Sequence, residues 1–248
     1  MLELYTFRMS HFSEKVRWML DAAGIEYREI RWTPFFHALP ALHHGRIGTT
    51  VPILRHGGGY VQDSTRILMW LDSNMPGFHL LPRDPALRKR VLEMEARLDR
   101  VGAHVIRYAY SSILDEADAV TRLWTLDAGP LQKRFIRATF PVLREIFRRK
   151  LGFDAARVAR SRQAISDTLD FLDAQLADGR EFLVGDRLSA ADITACALLA
   201  PLMGPDQHEM YSRADFRTAL APLVSDWLQR PVAQWLRRRY RHRHEITA

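Results

Sequence analysis

The spacing of apolar positions divides the chain into two unlike halves. Over the first 80 residues strand-like and helix-like patterns alternate, whereas beyond the Pro82-Arg83-Asp84-Pro85 segment apolar positions recur at helical spacing almost throughout. Leu2 to Phe7 alternates apolar and polar side chains as a short strand, and Phe12, Val16, Met19, Leu20 and Ala23 then share one helical face. Gly24 followed by Ile25 reads as a left-handed helix stop with its apolar contact. Glu26 to Trp32 reads as a second strand, and Val51 to Arg55 and Tyr60 to Gln62 flank a Gly57-Gly58-Gly59 hairpin turn. Ser64 is placed to cap a helix whose Ile67, Leu68 and Leu71 share a face. The order is βαβ, a connector from Thr33 to Thr50 with no clear pattern, then ββα. Beyond residue 85 the periodicity predicts helices over 86–114, 131–151, 155–176, 190–202, 216–229 and 232–243. Leu188-Ser189-Ala190-Ala191-Asp192-Ile193 has the layout of a capping box with an apolar staple. The expected organisation is an α/β domain over residues 1–80 and an all-helical domain over 86–248.

Composition narrows the class. With 248 residues, 47% hydrophobic and 26% charged, the chain can bury one large or two small globular cores. The formal charge of +7 is uneven: residues 1–80 hold 8 basic and 7 acidic side chains, while Arg237, Arg238, Arg239, Arg241 and Arg243 stand against Glu245 at the end. That run is a tail and not a groove-shaped stripe with interleaved aromatics, so it reads as a solvated terminal helix, and no nucleic-acid partner is expected. A single cysteine, Cys196, excludes an intrachain disulfide, a cysteine metal cluster and a dithiol motif, and suits a reducing, cytoplasmic setting with the thiol inert in the core. Met1-Leu2-Glu3-Leu4 lacks a basic region followed by an apolar core, and the longest apolar run, 193–204, is short and contains Pro201. Neither secretion nor membrane insertion is expected. The histidines show no ligand spacing, so no metal is expected, and His242 and His244 read as solvated.

Three short segments carry candidate chemistry. Ser10-His11-Phe12-Ser13 lies where the first strand ends and the first helix begins, so its hydroxyls face the positive end of a helix, which favours an anion. Simple N-capping by Ser10 or Ser13 fits the same residues. In Thr50-Val51-Pro52-Ile53 the proline cannot donate to a ladder, and a cis bond before it would leave the Val51 backbone to pair with an extended peptide ligand. In Gln62-Asp63-Ser64 the hydroxyl and the first helical N–H groups can hold a carboxylate while Asp63 holds an ammonium group, or Asp63 is itself a cap.

Taken in order, Leu2-Glu3-Leu4-Tyr5 with Ser10, Lys15-Val16-Arg17, Val51-Pro52, Asp63-Ser64, and Phe182-Leu183-Val184-Gly185-Asp186 leading into Ser189-Ala190-Ala191-Asp192 resemble the cytosolic glutathione S-transferases. The strand-to-serine spacing is similar to that of the serine-type theta class. The resemblance implies a thioredoxin-like N-terminal domain (βαβ-α-ββα) that binds glutathione, joined to an all-α bundle that binds the second substrate. It also implies a homodimer and a role in detoxification. Ser10 matches the hydroxyl that donates to the glutathione sulfur, with Ser13 a second candidate. Val51 and Pro52 match the loop that pairs with the cysteinyl unit, Asp63 and Ser64 the pair that holds the γ-glutamyl end, and His37 a glutathione-contacting histidine. Two departures bear on affinity: Thr50 stands where a cation or Gln often precedes Val-Pro, with Arg46 the nearby candidate to replace that cation, and Asp63 is one methylene shorter than Glu.

The resulting expectation is a transferase in which the glutathione thiolate attacks a small, largely apolar electrophile. Phe12 and the helical set His104, Arg107, Tyr108 and Ser111, spaced i, i+3, i+4 and i+7, are expected to line the substrate pocket. A glutathione-dependent isomerase, lyase, dehalogenase or peroxidase shares the same first half. A non-catalytic binding or scaffold protein contacting partners through the basic tail is the alternative from another class. Deletion after Leu236 is expected to spare catalysis in the first case and weaken partner binding in the second.

Overall fold

The computed structural model of the protein describes residues 1–45 and 48–247, with the side chains at 45 and 244–247 outside the description, as are Arg46 and His244. Four strands, β1 (Leu2–Thr6), β2 (Tyr27–Arg31), β3 (Ile53–His56) and β4 (Gly59–Gln62), form one sheet in the order β2-β1-β3-β4. β1 and β2 are parallel, and helix α1 (His11–Ala22) supplies the crossover that parallel strands require. β3 runs antiparallel to β1 and to β4. Gly24, at φ +63°, ends α1 as the sequence predicts, with the Ile25 N–H donating to the Leu20 carbonyl at 3.0 Å.

Alternation along the strands gives the sheet two covered faces. Leu4 and Leu54 point into the main core with Val16 of α1 and Ile67 of helix α3 (Ser64–Asn74). Tyr5 and Ile53 point the other way and pack on Ala41 of helix α2 (Ala38–Gly45). This is a thioredoxin-like arrangement. α2 fills the connector whose pattern is unreadable in sequence, because eight residues make only about two turns.

The remainder is helical: α4 (Pro85–Ile113), α5 (Ala117–Trp124), α6 (Pro130–Leu151), α7 (Ala155–Leu176), α8 (Ala190–Met203), α9 (Ala214–Val224) and α10 (Pro231–Thr247). α8 is buried on every side, consistent with its near-absence of polar positions, and both α1 and α4 pack on it. Asp192 closes its N-terminus, accepting from the Ser189 N–H at 2.9 Å, the Ser189 hydroxyl at 2.7 Å and the Leu183 N–H at 2.7 Å. α5 has no counterpart among the predicted helices, again because it is short. The helix expected over 216–229 stops at Val224, and a tightened turn over Ser225–Trp227 keeps Trp227 in the core.

The C-terminal helix departs from the solvated tail expected of it. Arg238, Arg241 and His242 are exposed, but Leu236, Arg239, Tyr240 and Arg243 fall on one inward face. Tyr240 is fully buried and packs its ring on Trp18 of α1 at 4.6 Å. Arg243 pairs with Glu14, donates to Asp21 at 2.7 Å and stacks over the Trp18 ring at 4.9 Å. Arg239 donates to Glu181 at 2.9 Å. A run of arginines does not reveal from sequence which of them turn inward; the helical period and the carboxylates of α1 decide it.

Candidate active site

Ser10 is the N-cap of α1 in extended backbone, φ −84° and ψ 116°, and its Oγ accepts from the Ser13 N–H at 3.2 Å. Capping uses a lone pair of the oxygen and leaves the hydroxyl proton to be donated elsewhere. The side chain is half-buried, at the positive end of the helix. Behind it His11 is buried, with Nε2 3.0 Å from the Gly102 carbonyl of α4, a bond that assigns the proton to Nε2. Burial pulls the His11 pKa down to about 4. The imidazole is therefore neutral at pH 7 and adds no charge beside Ser10, where the helix terminus favours an anion. Phe12 lies against the same turn of α4: a Cβ on Gly102 would meet the Phe12 Cζ at 2.5 Å, so the glycine makes room for the ring. Ser13 Oγ is fully buried and has no hydrogen-bond partner among the described residues.

Helix α1 carries a buried charge cluster one turn further on. Glu14 accepts from Arg17 at 2.9 Å, pairs with Arg243, and lies 3.6 Å from His208 Nε2. Burial alone would raise its carboxyl, but Arg243, His208 and Arg17 hold it well below the usual range. Both buried groups therefore oppose acidification. His11, whose folded pKa is depressed, binds fewer protons than in the unfolded chain once the pH falls below 6.5, and the loss of stability grows until about pH 4. The sum is about 3 kcal/mol for His11. The Glu14 contribution is complete above 4.5 and is lost as the pH falls through its lower folded value. Urea denaturation should show stability falling from about pH 6.5 downward, and His11→Gln should flatten the upper part of that profile.

A second set of groups converges from the β2–β3 connection and the start of α3. The Val51–Pro52 peptide is cis, and Val51 precedes the first registered pair of β3, Tyr5 with Ile53. Gln62 braces this loop through its side-chain amide, donating to the carbonyls of Thr50 at 2.6 Å and Gly48 at 3.1 Å. His37 lies 2.8 Å from the Thr49 carbonyl through Nε2 and stands edge-on to Phe7 at 4.5 Å, so it supports the same loop. Asp63 adopts φ +90°, a region few non-glycine residues occupy and one that recurs at functional sites. Asp63, and not Ser64, is the cap of α3: its Oδ1 accepts from the N–H groups of Thr65 and Arg66, each at 3.0 Å. Ser64 is the first helical residue, with a buried Oγ that has no partner among the described residues.

Lys15, read from sequence only as part of a motif, joins three helices behind these groups. It is fully buried, with Nζ 2.5 Å from Glu95 and 2.7 Å from Asp99 of α4 and 3.3 Å from Thr65 of α3. Thr65 donates in turn to Glu95 at 2.6 Å. In the sequence Lys15 stands between Glu14 and Val16, which gives no sign of burial, and its carboxylate partners lie 80 or more positions away and carry no local signature.

The α4 face expected to line the substrate pocket packs inside the helical half. His104 Nδ1 lies 3.1 Å from Ser161 Oγ, Arg107 donates to the Leu151 carbonyl at 2.7 Å, and the buried Tyr108 donates to the Leu223 carbonyl at 3.3 Å. Ser111 is exposed and donates to the Tyr108 carbonyl of its own helix. At about 100° per residue this set lies roughly opposite Glu95, Asp99 and Gly102, which meet α1. Spacing shows that residues share a face but not which neighbour it meets. Phe12 does face α4. The α5–α6 connection approaches the site from outside, with Arg8 donating to Asp127 at 2.7 Å and Thr33 to Gln132 at 3.1 Å. Among the described residues no group of three His, Cys, Asp or Glu side chains could hold a metal ion, and no helix is long and apolar enough to cross a membrane.

A thioredoxin-like sheet whose α1 N-terminus faces a long helix of an all-helical partner defines a class of two-part proteins, and comparison with known sequences gives the family. The glutathione S-transferase N-terminal domain matches residues 4–79 and the C-terminal domain residues 155–230. The chain belongs to the glutathione S-transferase family. It is 24% identical over 194 residues to a probable glutathione S-transferase of Nicotiana tabacum, covering 78% of this chain and 68% of that one. A glutathione S-transferase of Dianthus caryophyllus is 34% identical over 103 residues, 38% of this chain and 43% of that one. Among solved structures, a glutathione S-transferase of Methylobacterium radiotolerans in complex with glutathione sulfonate superposes with a TM-score of 0.60 at 23% identity, covering 94% of this chain and 92% of that one. The beta-etherase LigF of Sphingobium gives 0.62 at 20%, covering 96% and 99%.

Proposed function

We infer that the chain is a glutathione transferase: it binds glutathione as cosubstrate and transfers the thiolate to a small, largely apolar electrophile. Residues 1–80 form the glutathione-binding domain and 86–248 the substrate-binding domain. Ser10 donates its hydroxyl proton to the glutathione sulfur, and the helix terminus behind it favours the charged form. The Val51 backbone beside Pro52 pairs with the cysteinyl unit, Asp63 and Ser64 take the γ-glutamyl end, and His37 holds the loop that leads into Val51. The observation that carries this reading is the Ser10 hydroxyl, half-exposed at the α1 N-terminus, with its oxygen engaged by the Ser13 N–H and its proton left to donate.

Ser64 supports the same reading, since a buried hydroxyl without a partner is costly unless a ligand completes it. Ser64→Ala should raise the dissociation constant for glutathione about tenfold, measured by calorimetric titration, with little change in stability. Unchanged affinity would remove Ser64 from the site. The scaffold alternative rests on the Thr50 and Asp63 departures and on a basic tail free to bind partners, and the inward packing of Arg239 and Arg243 withdraws two of the tail's five arginines from that role. A homodimer, a cytoplasmic location and a role in detoxification belong to the proposal. Membership of the family supports the dimer. Sedimentation equilibrium should return twice the 28.7 kDa chain mass, and a monomer would overturn that part.

A further inference from the structure

Helix α6 has two apolar faces, of which the fold covers one. Ile136, Phe140 and Leu143 are buried, whereas Leu131, Phe135, Val142 and Ile146 are 84%, 50%, 62% and 53% exposed. The exposed four fall within an arc of roughly 60° and form a stripe about 22 Å long. The stripe continues onto the segment around α2, where the Phe36 ring lies 5.4 Å from that of Phe135 and Leu39 and Leu42 are also exposed. α6 lies outside both family matches.

The same helix concentrates positive charge. It carries seven Lys and Arg residues against Glu145 alone, a formal +6 beside +7 for the whole chain. Arg144 and Arg148 share Asp115, and Arg149 pairs with Glu145. Among the described residues Lys133, Arg134, Arg137 and Lys150 have no carboxylate partner. By the same rotation Arg134 and Lys150 flank the stripe, roughly 60° and 40° beyond its two edges, whereas Lys133 and Arg137, which line an open hollow with Pro130, Arg134 and Ala138, turn toward the far side of the helix.

We propose that the α6 face, extended by α2, docks the protein on an anionic lipid surface. α6 lies in the plane of the interface, with Leu131, Phe135, Val142 and Ile146 entering the acyl boundary and the flanking Arg134 and Lys150 meeting lipid phosphates. Charge selects this occupant. A second copy seated through the same face would bring unpaired cations of one α6 onto those of its partner, whereas an anionic surface complements them. The association is peripheral, since no helix among the described residues is able to span.

The test is co-sedimentation of the full-length protein with phosphatidylcholine vesicles, with and without about one third phosphatidylglycerol. Binding to the anionic vesicles is expected to be at least about tenfold tighter and to weaken as salt is added. The variant Leu131→Glu/Val142→Glu, altered at two exposed positions, should lose about tenfold or more while keeping the wild-type thermal midpoint. Arg134→Ala/Lys150→Ala should lose affinity for anionic vesicles without adding charge to the stripe. Arg238→Ala/Arg241→Ala, on the exposed side of α10, should bind as wild type. Equal binding to both vesicle types, or full binding by both α6 variants, would overturn the proposal. So would a vesicle-free sedimentation velocity run in which Leu131→Glu/Val142→Glu breaks an oligomer, since the face would then join copies of the chain.

Discussion

Deletion of the chain after Leu236 is expected to destabilise the whole protein, taking catalysis with it. The deletion removes Tyr240, which is fully buried, and Arg243, which neutralises Glu14 inside the core and holds Asp21 and Trp18 of the same helix. Breaking a buried ion pair by removing one partner costs about 3–5 kcal/mol, because the remaining charge is left without compensation. Loss of a buried aromatic side chain adds a comparable amount. Set against a typical total of about 5–15 kcal/mol, the two together approach unfolding. Arg243→Ala isolates the ionic part: its urea midpoint should fall steeply, and Glu14→Gln in the same background should recover much of the loss. A wild-type midpoint for Arg243→Ala would show that the cluster contributes nothing. The consequence for function is direct, since Glu14 is on the first turn of α1 and its N–H donates to the Ser10 carbonyl at 2.9 Å.

Ser10→Ala is expected to have the largest effect on turnover. Removing one donor from a developed anion typically costs about 10²- to 10³-fold in rate. Loss of the N-cap costs a further ~1 kcal/mol of stability, a separate readout. Ser10→Thr keeps both the cap and the hydroxyl and should retain most activity. Ser13→Ala should be milder, because Ser10 presents the half-exposed hydroxyl at the helix mouth and Ser13 engages it through its N–H, which the substitution keeps. A Ser13→Ala loss equal to that of Ser10→Ala would reassign the thiolate partner.

Much of the scaffold is legible in the sequence where one local rule decides it. The Gly24 stop, the Asp192 box and the helices over 131–151 and 155–176 follow from residues within a turn or two of each other. α2 and α5 are not legible, because neither runs long enough for a period to emerge. In the candidate site, Ser10, Val51, Pro52, Asp63 and Ser64 announce themselves through helix starts and a proline before a strand. Direction is what the pattern lacks: Tyr108 shares a helical face with His104, yet that face turns toward Ser161 and Leu223, and Gly102 is the α4 residue beside Phe12. Long-range pairs are hidden for a related reason. Nothing near Glu14 predicts a partner 229 positions away, and nothing near Lys15 predicts Glu95.

The central claim is that Ser10 at the α1 N-terminus stabilises the thiolate of bound glutathione. Titration of the complex from low to high pH, followed by thiolate absorbance, measures this directly beside the Ser10→Ala variant. The account predicts a bound thiol pKa well below the value of about 8.5 for a free thiol, and its return toward that value in the variant. A bound thiol that titrates like free glutathione in the wild type, or identically in both proteins, would contradict it.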